Sequence, residues 1–194
     1  MTTTNSDPVQ DYILESPDKF RIAWEVSEAW PKVRRRAVLD FLGRLQSALQ
    51  GKTELKGWEF ALWGAPFVNS EAGFSFGRPT WGDNYYADLY FGDFGQDVFF
   101  GLARDKHAPT IEGRPPSEDL LAAVKERYSD AGHDSWWEAW VSVPSLTGDW
   151  SKPEVLWRMQ DEKDPFLNEV AKHLLKVATI CEPFVEQLVA KKRR

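Results

Sequence analysis

The chain has 194 residues, enough for one well-buried core, and its 42% hydrophobic and 28% charged content is that of a globular rather than a disordered protein. A net charge of −6 works against non-specific adhesion to a phosphate backbone, which Lys and Arg drive. One cysteine excludes an internal disulfide, and no apolar run approaches the length of a membrane span.

The start, Met1–Asp7, has neither a basic stretch nor an apolar core, so no secretory signal is read there and a cytoplasmic location is expected. A single domain, 1–194, is expected, with 1–18 as a flexible leader and 190–194 as a flexible basic tail. Phe20 to Val26 alternates and reads as a first strand. Ser27, Ala29 or Trp30 caps a following helix with Pro31 in its first turn. Val38, Phe41, Leu42, Leu45 and Leu49 recur at helical spacing, and Gly51 ends that helix.

Gly57 to Arg104 reads as four consecutive antiparallel strands cut by Gly64-Ala-Pro, Pro79-Thr-Trp-Gly-Asp-Asn and Gly92-Asp-Phe-Gly. In the third, Tyr85, Ala87, Leu89 and Phe91 share a core face, while Tyr86, Asp88 and Tyr90 share a partly wet one. Val98, Phe100 and Leu102 continue the core face. His107 to Pro116 is a loop, and Ser117 caps a helix with Leu120, Leu121, Val124 and Tyr128. Ser135 to Val143 is a further strand, and Ser151 and Pro153 begin a short helix through Trp157. Leu167, Val170, Leu174, Val177, Cys181 and Leu188 mark a last helix that Pro183 should kink or split. The fold expected is α+β: a mostly antiparallel sheet of five or six strands, with the helices at 31–50 and 165–190 packed on one face.

Chemistry is sparse. His107, His133 and His173 lie in no metal-ligand spacing, so no metal is expected. The cluster of Asp130, His133 and Asp134 is what a turn uses, and His173 is structural or exposed. Cys181 falls among apolar residues, where a thiol is buried and inert. There is no Gly-x-Ser-x-Gly elbow and no phosphate-binding glycine loop. Asp83, Asp88 and Asp93 fall in turns and on the outer strand face, where solvation explains them. The basic runs Lys32, Arg34–Arg36 and Lys191–Arg194 read as a solvated helix face and a frayed tail.

Pro17-Asp18 and Glu54-Leu55-Lys56 imitate the Pro-Asp … Glu-x-Lys pattern in which carboxylates hold Mg²⁺ and a lysine steadies the attacking water. The pattern is short, and Asp161-Glu162-Lys163 satisfies its second half as well. A Mg²⁺-dependent nuclease using Asp18, Glu54 and Lys56 is the catalytic alternative; otherwise no cofactor is expected.

An ordered aromatic set runs from Trp58 to Trp157: Ala72-Gly-Phe-Ser-Phe-Gly-Arg-Pro-Thr-Trp, Tyr85 to Phe91, Phe99-Phe-Gly-Leu, Ser135-Trp-Trp-Glu-Ala-Trp, and Asp149-Trp-Ser before Pro153-Glu-Val. It is similar to the C-terminal region of bacterial and phage proteins of the PD-(D/E)XK nuclease superfamily. Over half of the chain, the resemblance implies a free-standing relative of that accessory module, without its catalytic core.

Ten Trp and twelve Phe exceed what one core of this size requires, so some should be displayed as a contact surface. The residues expected there are Trp81, Tyr86, Tyr90, Trp136, Trp137 and Trp150. The function expected is a non-catalytic protein-binding or regulatory module with a basic partner, in its most concrete form an acidic inhibitor or immunity-type protein acting on a nucleic-acid enzyme. Stacking of single-stranded nucleic acid on exposed rings is a third, weaker reading.

Overall fold

A computed structural model describes residues 7–104 and 117–192, and at 83, 84, 191 and 192 it describes backbone without side chains. The expected loop at 107–116, the carboxylate of Asp83 and the tail residues Arg193 and Arg194 lie outside the described residues. The architecture is α+β, as the pattern of strands and helices predicts.

Helix α1 spans Pro8–Leu14 and helix α2 spans Pro17–Gln50. Both begin on strong start signals: Asp7 Oδ1 accepts Val9 N–H at 2.9 Å, and Ser16 Oγ accepts Lys19 N–H at 3.3 Å ahead of Pro17 and Asp18. The strand expected at Phe20–Val26 is therefore helical, and of the expected leader residues 8–14 and 17–18 are helical as well. The two-residue alternation misleads here because no neighbouring strand pairs with it. Pairs four apart, such as Arg21 with Glu25 at 3.0 Å, support a helix instead. Pro31 lies inside α2, where the ring costs a backbone donor on an exposed stretch of the helix.

Five strands follow one another in sequence order as an antiparallel meander: β1 (Glu59–Trp63), β2 (Ala72–Gly77), β3 (Tyr85–Gly92), β4 (Asp97–Arg104) and β5 (Trp137–Val141). Helices α3 (Glu118–Lys125), α4 (Pro153–Gln160) and α5 (Phe166–Lys192) complete the strands and α-helices among the described residues, with short 3-10 turns at Thr53–Leu55, Pro79–Asn84 and Asp93–Gly95. Ser117 caps α3 as expected, its hydroxyl accepting Leu120 N–H.

Alternate residues of β3 and β4 face the helices. Ala87, Leu89, Phe91, Val98, Phe100 and Leu102 are fully buried there, against Val170, Leu174, Val177 and Cys181 of α5. The second half of α2 packs on α4 and α5 through Phe41, Leu42, Leu45 and Leu49. Trp150 closes this layer, its ring edge-on to Phe41 at 5.6 Å and to Phe91 at 5.3 Å. Each such ring pair adds about 0.5–1.5 kcal/mol beyond burial.

Pro183 does not split α5, which runs continuously from Phe166 to Lys192. The exposed proline is bracketed by Glu182, paired with Arg78, and by Glu186, which accepts from Trp81 Nε1–H at 3.0 Å. These contacts tie the helix to the β2–β3 connection on both sides of the missing backbone donor. The tail expected from 190 is helical to Lys192.

Candidate binding site on the open face of the sheet

Helices cover one face of the sheet, and the opposite face carries an aromatic layer of its own. Trp63, Tyr90, Phe99, Trp137 and Trp140 form a continuous row across β1, β3, β4 and β5. Ring centroids lie 6.0 Å apart for Trp63–Tyr90, 5.0 Å for both Tyr90–Phe99 and Phe99–Trp137, and 6.1 Å for Phe99–Trp140. Cross-strand registers Trp63↔Gly73, Tyr90↔Phe99 and Gly101↔Trp140 explain the alignment.

Two glycines make room for the rings. A Cβ on Gly73 would stand 2.6 Å from an Asp88 carboxylate oxygen and clash with the Trp63 indole. One on Gly101 would stand 2.6 Å from the Trp137 ring. Glycine at these strand positions therefore serves close approach, letting each indole lie against backbone.

Two adjoining hollows open on this layer. The first, of about 310 Å³, is lined by Trp63, Glu71, Tyr86, Asp88, Tyr90, Ala103, Arg104, Trp136 and Trp137. The second, of about 540 Å³, shares Tyr90, Trp136 and Trp137 and adds Asp97, Phe99, Asp134, Trp140 and others. Trp136 and Trp137 are held by Asp134, whose Oδ1 accepts both of their backbone N–H groups, at 2.7 and 3.1 Å. Trp136 is 54% exposed while Trp137 is nearly covered, so consecutive indoles supply a projecting ring and a floor.

Charge in the hollows is mainly acidic. Asp88, expected to be solvated, is 1% exposed, because Trp63 lies across Gly73 and donates its Nε1–H to Asp88 Oδ2 at 3.3 Å. Burial pushes the Tyr90 phenol well above its ordinary value, and Glu71, Asp97 and Asp88 push it the same way. That phenol therefore stays protonated as a donor. Arg104 sits at the inner end of the first hollow, its Nε 3.2 Å from Glu138 Oε1. Glu138 is the extra residue of a bulge opposite Leu102 and Ala103, and its other oxygen accepts Ser117 N–H at 2.7 Å.

Of the six rings expected at a contact surface, the structure brings four together here: Tyr86, Tyr90, Trp136 and Trp137. Trp81 and Trp150 are corrected to core residues. Both indoles are fully enclosed with satisfied N–H groups, on Glu186 and on the Leu146 carbonyl respectively. Trp63, Phe99 and Trp140 belong to the same layer and went unread. Their strand parity, with Gly73 and Gly101 opposite, is the signal that finds them.

The three nuclease-pattern residues do not meet. Asp18 lies in the first turn of α2, and Glu54 and Lys56 follow its last turn, so a helix roughly 50 Å long stands between them. Among the described residues no cluster of three or more His, Cys, Asp or Glu side chains is placed to hold a metal. His173 is half-buried on α5, its Nδ1 2.9 Å from the Tyr128 hydroxyl, and burial lowers its pKa. Cys181 is buried as expected, its thiol pushed up to about 12 by desolvation. No described helix is long and apolar enough to cross a membrane.

Compared with protein-family models, curated proteins and solved structures, the chain finds no match.

Proposed function

We propose that this chain is a non-catalytic protein-binding module whose partner docks on the face of the sheet that no described helix covers. The observation that carries the reading is the aromatic layer with its two hollows, half-open to solvent and rimmed by Glu71, Asp97 and Asp134. Projecting Trp and Tyr rings bury large area at small entropic cost, as interface anchors do. Carboxylates beside indole faces favour an incoming Lys or Arg, which gains cation–π attraction as well as charge pairing. The same rim repels phosphate, so a basic protein surface suits the site better than a nucleic-acid strand. An acidic inhibitor or immunity-type protein acting on a nucleic-acid enzyme is the concrete form of this proposal. It agrees with the net charge of −6 and with the spacing similar to a nuclease accessory module.

Affinity purification from the native host tests it, using the wild type and Trp136→Ala. The exposed ring contributes little to folding, so the variant should keep its urea midpoint within about 0.5 kcal/mol of stability. A basic protein should co-purify in stoichiometric amount with the wild type and be lost with the variant. Recovery of no basic protein, or equal recovery with both chains, overturns the reading.

A further inference from the structure

Most of the exposed large apolar side chains among the described residues lie away from the sheet face. Among described residues, none before Ala37 is buried, yet nine of the fourteen exposed large hydrophobic side chains lie between Val9 and Val33. On the first half of α2, an exposed stretch roughly 25 Å long, Ile22, Val26, Trp30 and Val33 share one side of the helix, and Phe20 and Trp24 stand on the other. Such a patch on a soluble chain marks an interaction surface.

We propose that this arm is the interface of a two-fold homodimer, in which the α2 arms of two copies pair antiparallel. Two observations select a second copy as the occupant. Ile22, Val26, Ala29 and Val33 are spaced four, three and four apart, the seam along which one helix packs on another. The charge along the arm is split. Asp11, Glu15, Asp18, Glu25 and Glu28 outnumber Lys19 and Arg21, with which Glu15, Asp18 and Glu25 pair along the chain, so its start and middle are net acidic, and Lys32, Arg35 and Arg36 give it a basic end. Antiparallel pairing sets the acidic start of each arm beside the basic end of the other, twice over by symmetry. A helix lying on an anionic lipid surface wants Lys and Arg along its whole polar face, and the acidic start of this arm opposes that.

Sedimentation velocity on the full chain tests the proposal. The wild type should sediment as a dimer at micromolar concentration. Ile22→Glu with Val26→Glu should raise the dissociation constant about 30-fold or more, as loss of interface anchors does. At concentrations low enough for the wild type to be monomeric as well, the thermal melt of the body should not change, because both side chains are already exposed. Glu15→Arg with Asp18→Arg, and separately Lys32→Glu with Arg35→Glu, should each weaken self-association, and mixing the two variants should restore a dimer. A wild type that is monomeric throughout overturns the proposal, whether or not it binds anionic phosphatidylserine vesicles. A dimer indifferent to Ile22→Glu with Val26→Glu does so too, and a mixture no tighter than its components overturns the antiparallel arrangement.

Discussion

The two faces of the sheet carry similar rings under different constraints. On the helix side, Phe74, Phe91, Phe100 and Trp150 are enclosed by α2 and α5, and their positions follow from close packing. On the open side, Trp63, Tyr90, Phe99 and Trp137 cover one another and the glycine backbone beneath, while Trp136 projects. Removing a ring from the first face should unfold the protein, whereas removing the projecting ring from the second should affect what it holds. The contrast separates stabilising aromatics from recognising ones within one small sheet.

The largest effect expected is from Trp150→Ala. It empties a site shared by Phe41, Phe91 and Phe166 and strands the Leu146 carbonyl, so chemical denaturation should report a loss of about 3–5 kcal/mol. Gly101→Ala attacks the open face from beneath. Its methyl group would stand 2.4 Å from the Ala139 carbonyl oxygen and 2.6 Å from the Trp137 ring, so both the β5 backbone and the indole must shift, which should cost about 1–3 kcal/mol and change the near-ultraviolet circular dichroism of the aromatic layer. An intact spectrum with unchanged stability would mean that the glycine floor is not what seats the indole.

The smallest effect is a pH dependence on the helix side. Burial, with Lys172 adding to it, holds the His173 imidazole below its ordinary 6.5. The unfolded chain therefore binds more protons than the native state once pH falls below that value. Stability should decline as pH drops through 6.5 toward the lowered native pKa, and should be undiminished above it. Urea midpoints measured on either side of that pH check the slope, and His173→Gln should flatten it.

The meander was legible because Gly, Pro and Asn break the chain between alternating apolar segments, and alternation in β3 and β4 assigned the helix-facing residues correctly. Burial of Asp88 was not legible, since it depends on an indole from β1 crossing a glycine of β2. Trp81 lies in a short 3-10 turn, Pro79–Asn84, and Trp150 lies outside every strand and helix, so no long periodicity says which way they point. The first half of α2 fails for another reason. Phe20, Ile22, Trp24 and Val26 fit a period of two, but Ser16-Pro17-Asp18 is a helix start, and those local capping bonds prevail where no strand is available to pair. The nuclease pattern failed for the same cause, because an unbroken helix carries its two halves to opposite ends.

Cys181 gives the molecule a built-in reporter. It is the chain's only sulfhydryl, sealed beneath the sheet with its ionisation displaced to about 12, so a maleimide or disulfide reagent finds no thiolate in the native protein. Labelling proceeds only as α5 lifts from β3 and β4, and its rate counts the openings of that one contact.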